Sequence, residues 1–199
     1  MKPMDIMSRR SLLTAPAVLA LATAPAAGAE SGRTELATGS NILTVYFTRS
    51  GNTRVIAGTI SRELGTDLIE IRPAQPYPED YEATVERARV ERDRGDEPPL
   101  AGLVSNIAGY EAIFLGFPIW GGTAPPVIRT FLRTHDLRGR KVRAFITHGG
   151  YGLGNSLSVL ASHAPSVRIE PPFVMEADQE RRTLNQVKGW LGQIRGDTR

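Results

Sequence analysis

The chain predicts a three-layer α/β domain built on a five-stranded parallel sheet. Three observations carry that prediction. Apolar runs of strand length alternate with segments of helical periodicity along the chain. The run Ala112-Ile113-Phe114-Leu115-Gly116-Phe117 has no polar alternation, as expected of a central parallel strand covered on both faces. Three of the runs empty into turns rich in glycine and hydroxyl residues, and the carboxyl ends of parallel strands are where α/β sheets bind ligands.

The elements follow in order. Ile42 to Phe47 is the first strand. Val55, Ile56, Ile60 and Leu64 fall at helical spacing, so Thr53 to Leu64 is an amphipathic helix stopped by Gly65. Leu68 to Ile71 is a short strand closed by Pro73, and Pro76 and Pro78 prolong the connection. Tyr81 to about Arg94 is a charged helix with the look of a solvated face, halted between Gly95 and Pro99. After the central strand, Pro125 or Pro126 starts a helix carrying Val127, Ile128, Phe131 and Leu132. Val142 to Thr147 is the fourth strand, and Leu153 to Ala161 a helix behind a glycine-rich turn. A fifth strand lies within Val167 to Met175, broken or preceded by Pro171-Pro172. Leu184, Val187, Trp190, Leu191 and Ile194 mark a terminal helix.

Composition narrows the chemistry. The 199 residues suffice for one domain with a sizeable core. There is no cysteine, which excludes thiol catalysis, disulfides and cysteine-ligated metals. His135, His148 and His163 lack metal-ligand spacing, so no metal site is expected. The net charge of +3 falls to +1 without Lys2, Asp5, Arg9 and Arg10, and basic and acidic residues are interspersed, which speaks against a nucleic-acid partner.

Residues 1–29 read as an export signal. Ser8-Arg9-Arg10-Ser11-Leu12-Leu13 resembles the twin-arginine motif, a mildly apolar stretch runs to about Ala24, and Ala27-Gly28-Ala29 predicts cleavage before Glu30. A periplasmic or otherwise exported protein is expected, with no membrane span once the signal is cleaved. An uncleaved anchor or an ordinary secretory signal is the alternative. Residues 30–40 read as a polar linker to a domain spanning 41–197.

Three loops hold the candidate site. Thr48-Arg49-Ser50-Gly51-Asn52-Thr53 follows the first strand and precedes a helix. Its hydroxyls, backbone N–H groups and the positive end of the helix dipole suit a dianion. It lacks the Gly-Lys-Ser/Thr ending of a nucleoside-triphosphate loop and is not a dinucleotide fingerprint; a plain helix cap is the competing reading. Pro118-Ile119-Trp120-Gly121 follows the central strand, with Trp120 placed as an aromatic wall for a flat heterocycle or folded back onto the core. Thr147-His148-Gly149-Gly150-Tyr151-Gly152 follows the fourth strand, where glycines let backbone approach a ligand edge. The walls read as apolar, with few cations near the ring.

On these motifs the chain resembles the flavodoxins over about residues 41–196. The Thr-x-Ser-Gly-Asn-Thr turn is similar to their phosphate-binding loop, and the Pro118 and Thr147 loops to the pair that sandwich an isoalloxazine ring. The resemblance implies strand order 2-1-3-4-5 and bound FMN. It implies the phosphate role for Thr48, Ser50, Asn52 and Thr53 and ring stacking for Trp120. An electron carrier serving a redox partner protein or a small donor or acceptor is then expected, with no catalytic residue assigned. An NAD(P)H-dependent quinone or flavin-type oxidoreductase on the same fold is the alternative, and a cofactor-free binding module a second. The roles of Tyr77 and Tyr81 stay open between packing on the sheet and, for Tyr81, bordering the flavin from the long second crossover.

Overall fold

The computed structural model describes residues 40–176 and 180–196, with the side chains of 180–185 excepted. The expected export signal at 1–29, nearly all of the expected linker and the last three residues lie outside the described residues.

Five parallel strands form one sheet in the order β2-β1-β3-β4-β5. In chain order they are β1 (Ile42–Tyr46), β2 (Asp67–Glu70), β3 (Ala112–Pro118), β4 (Lys141–His148) and β5 (Arg168–Glu176). The helices are α1 (Asn52–Leu64), α2 (Tyr81–Arg94), α3 (Pro126–Thr134), α4 (Ser156–His163) and α5 (Glu180–Gly196). Alternation along each strand divides the side chains between two cores. Leu43, Val45, Ile113 and Leu115 belong to the core that includes Val127, Ile128 and Phe131 of α3 and Leu160 of α4. Tyr46, Phe114 and Phe145 share the other with Ile56 and Ile60 of α1 and Val187 and Leu191 of α5. This is the expected three-layer arrangement and the expected strand order.

The register sets the site. Tyr46 pairs with both Glu70 and Gly116, and Pro118 pairs with Thr147, so the first three loops of interest leave one edge of the sheet together. Strand order reverses between β1 and β3, which opens a crevice there. Gly116 sits against the Phe145 ring, where any Cβ would collide with it.

Several boundaries differ from expectation, each for a local reason. Helix α1 begins at Asn52, one residue earlier, because Gly51 takes the left-handed N-cap position with φ +95°. Strand β2 runs from Asp67 to Glu70, and Ile71 instead donates its N–H to the Tyr46 carbonyl at 2.7 Å as the chain leaves the sheet. Helix α4 begins at Ser156 rather than Leu153, since Gly152 and Gly154 have φ +69° and +54° and cannot belong to a right-handed helix. Pro171-Pro172 does not break β5. The pair is absorbed where the register shifts between Arg143 and Phe145, on an edge strand whose outer side needs no donors. Leu184 of the terminal helix has a side chain outside the described residues.

Candidate functional site

The loop after β1 builds a site rich in neutral donors, with no carboxylate in it. The Thr48 hydroxyl oxygen accepts the Gly51 N–H at 3.1 Å and keeps its own proton to donate. No side chain caps α1 and no acidic residue occupies its first turn. The first helical bond is Val55 N–H to the Gly51 carbonyl, so the amides of Asn52, Thr53 and Arg54 find no partner within the helix. Arg49 does not enter this cradle as a charge clamp. Its guanidinium donates to the Glu79 carbonyl at 3.0 Å and lies 5.2 Å from the Tyr81 ring centroid, tying the loop to the start of α2.

The loop after β3 is fixed twice. Ile119 N–H donates to the Thr147 carbonyl at 2.8 Å, and Trp120 and Thr123 exchange backbone bonds of 3.0 and 3.2 Å. The two residues between them, Gly121 and Gly122, have φ +57° and +76°, the sign pattern of a type I′ turn. Trp120 is half-buried against the core, making edge contacts with Tyr77 (centroids 4.8 Å apart) and Phe47 (5.2 Å). Tyr77 in turn donates to Glu91 at 2.6 Å, and Arg87 pairs with the same carboxylate while covering the Tyr77 ring. Burial, together with the nearby Glu91 carboxylate, pushes the Tyr77 phenol well above its usual range, so it stays a donor. Tyr77 is thus the post that sets the angle of Trp120.

The loop after β4 closes the third side. The Thr147 and Thr53 hydroxyls bond each other at 2.9 Å in a buried position, joining this loop to the first. His148 Nδ1 accepts the Gly150 N–H at 3.1 Å. Asn155 N–H donates to the Gly122 carbonyl at 3.0 Å, and a Cβ on Gly154 would strike that carbonyl. Gly154 therefore serves the contact between the second and third loops rather than a ligand edge.

The three loops and α2 enclose a cavity of about 760 Å³. Thr48, Arg49, Ser50, Asn52, Thr53, Pro118, Ile119, Trp120, Gly121, Thr147, His148, Gly149 and Tyr151 all line it, with Tyr151 standing 92% exposed at the mouth. Gly51, Gly150 and Gly152 lie outside the lining and shape the turns from behind. Gly122 and Tyr81 also line it, the latter as one of the two placements open for it, but sequence reasoning missed the rest of the opposite wall: Thr84, Val85, Ala88, Arg89 and Arg92 of α2. A signal was present, because positions 81, 84, 85, 88, 89 and 92 recur at the spacing of one helix face. The expectation of few cations also fails, since Arg49, Arg89 and Arg92 all line the cavity and no carboxylate does.

A family model for flavodoxins matches residues 41–194. The chain belongs to the flavodoxin family. A crystal structure of a protein from Bacteroides eggerthii, assigned as a flavoprotein, is 33% identical, with TM-score 0.67 over 78% of this chain and 98% of that one. A similarly assigned protein from Bacteroides uniformis is 27% identical, with TM-score 0.66 over 75% and 99% of the two chains. A flavoprotein from Lactobacillus acidophilus, crystallised in complex with FMN, shares the fold at 22% identity and TM-score 0.60, covering 68% of this chain and 93% of its own. No curated protein matches. Among the described residues no helix is long and apolar enough to cross a membrane.

Proposed function

We propose that this flavodoxin-family protein binds FMN non-covalently in the cavity and takes part in electron transfer. The observation that carries the reading is the uncapped start of α1, whose free amides and neighbouring hydroxyls open into the same cavity as Trp120 and the glycine loop. The donor set fits the group: neutral N–H and O–H donors at a helix N-terminus suit a phosphate dianion, and the aromatic and apolar loop walls suit a flat ring. Thr48, Ser50, Asn52 and Thr53 would hold the phosphate. Trp120, held at its edge by Tyr77 and Phe47, would bound the ring on one side, and the 147–152 loop on the other.

FMN supplies the electron-accepting chemistry when bound. The chain supplies position and electrostatics. The Thr53–Thr147 bond keeps the phosphate end and the glycine loop in register, and the Gly122–Asn155 bond does the same for the second and third loops. The Gly121–Gly122 peptide lies between two left-handed residues, so it can turn over with little steric cost, changing which of its carbonyl and N–H faces the cavity. The twin-arginine-like segment supports an exported location, a route that suits a protein folded around its cofactor before it leaves the cytoplasm.

A second reading, an FMN-dependent reductase of small molecules, gains support from the cationic α2 wall. The test of the primary reading is reconstitution of the purified protein with FMN, followed by its visible spectrum and by titration against riboflavin. Tight FMN binding that riboflavin does not match is expected, because riboflavin lacks the phosphate. A protein that stays colourless at millimolar FMN would remove the reading. Stepwise anaerobic reduction then shows whether electrons enter singly or as a pair, which separates carrier from reductase.

A further inference from the structure

Helix α2 spends its best apolar face on the cavity rather than on the core. Tyr81, Val85 and Ala88 stand at i, i+4 and i+7, and Tyr81 and Val85 are 66% and 47% exposed. Arg89 and Arg92 continue that face toward the loop after β3. The two guanidiniums are held in place. Arg89 is gripped by Glu86 at 2.7 Å and Asp93 at 3.1 Å, and Arg92 pairs with Asp93 at 3.2 Å. Neither carboxylate lines the cavity, so the fixed cations face a space without a counter-charge of its own.

Arg92 adds a specific feature. Its Nη1 lies so close to Gly121 that a Cβ there would collide with it. Its bonds to Asp93 use the other two nitrogens, and Nη1 donates to nothing among the described residues. An unpaired guanidinium N–H therefore stands at the junction of α2 and the second loop. The first loop cradle already meets a phosphate with amides and hydroxyls at the other end of the cavity, so these cations are surplus to that task. An apolar strip ending in two oriented guanidiniums is the complement of a flat ring that ends in an acidic group.

We infer that the α2 wall is a subsite for a small, planar aromatic molecule bearing an acidic group, which binds beside the cofactor as its exchange partner. The inference rests on the FMN reading above and names the class of that reading's second ligand.

The probe is naphthoquinone sulfonate, compared with unsulfonated naphthoquinone, titrated calorimetrically into the oxidised, FMN-loaded protein at low salt. The sulfonate is expected to bind about tenfold tighter, the scale of one charge-assisted hydrogen bond. That preference should shrink as salt is raised. In the FMN-saturated double variant Arg89→Gln, Arg92→Gln the preference is expected to vanish, while Arg94→Gln, exposed on the same helix, keeps it. Equal binding of the two quinones by the unaltered protein would overturn the inference whether or not the variants fold. So would persistence of the preference in the FMN-saturated double variant, since the two guanidiniums would then not be what recognises the sulfonate. Failure of the FMN reading itself appears earlier and separately, as a protein that does not load before any quinone is added.

Discussion

Replacing Thr53 by valine tests how the first and third loops are joined. The Thr53 and Thr147 hydroxyls are 2.9 Å apart, each has only the other as side-chain partner among the described residues, and the residues are 1% and 3% exposed. Thr53→Val conserves volume closely but leaves the Thr147 hydroxyl buried and unpaired, which costs about 1–3 kcal/mol. Thr147→Val strands Thr53 in the same way and should cost a similar amount. The double variant removes both partners and strands neither, so its cost should fall well below the sum of the singles. The coupling expected is on the order of 1–2 kcal/mol. Urea denaturation of the four apo proteins measures it, and each single variant should also melt lower, by roughly 2–4 °C for each kcal/mol lost. If the singles cost under about 0.5 kcal/mol each and simply add, the bond does not tie the loops, and the reasoning about their register is wrong.

Three further outcomes are expected. Ser50→Asp places a carboxylate in the phosphate cradle and should weaken FMN binding by at least about tenfold, roughly 1.4 kcal/mol, while changing riboflavin binding little, as fluorescence titration would show. Gly154→Ala puts a Cβ against the Gly122 carbonyl at φ +54° and should cost about 1–3 kcal/mol. Gly152→Ala, at φ +69° but with open space around it, should cost less by the same denaturation assay. His135 is buried with Nε2 accepting the Val104 N–H and Nδ1 at 2.9 Å from the Phe131 carbonyl, and burial holds its imidazole below the ordinary 6.5. The unfolded chain takes that proton more readily, so this contribution is present above pH 6.5 and is lost as pH falls through the folded value. His135→Leu should flatten the acid-side slope of stability against pH even though it lowers stability at neutral pH.

The local parts of this protein were legible because their signals are local. The β1 run, the Thr48–Thr53 turn and the unbroken apolar stretch of β3 each state their conformation within a dozen residues. The helix at 81–94 was found at its observed ends, yet its purpose was hidden. The interleaved Glu86 to Arg94 charges mimic a solvated face, and the stripe from Tyr81 to Arg92 becomes meaningful only when a cavity stands opposite it. Tyr77 gave no sign either, since its partners Phe47, Trp120 and Glu91 come from three different elements. The glycines of the third loop divided in a way no motif announces: Gly149 lines the cavity, whereas Gly154 exists to let Gly122 come close. That division depends on the fold of a second loop more than thirty positions upstream.

The proline pair in β5 also bears on how this protein keeps to itself. An outer strand normally offers a neighbouring chain a row of amide hydrogens on which to grow. Pro171 and Pro172 carry no amide hydrogen and interrupt that regular row at the point where the strand is already bulged. The opposite border is only four residues long, and just past it the chain is crossed by the segment that bridges Pro73 to Leu100. Neither border presents a long, regular template for edge-to-edge association. Copies of this domain can therefore crowd together, each with its cavity open, without zipping their sheets into aggregates.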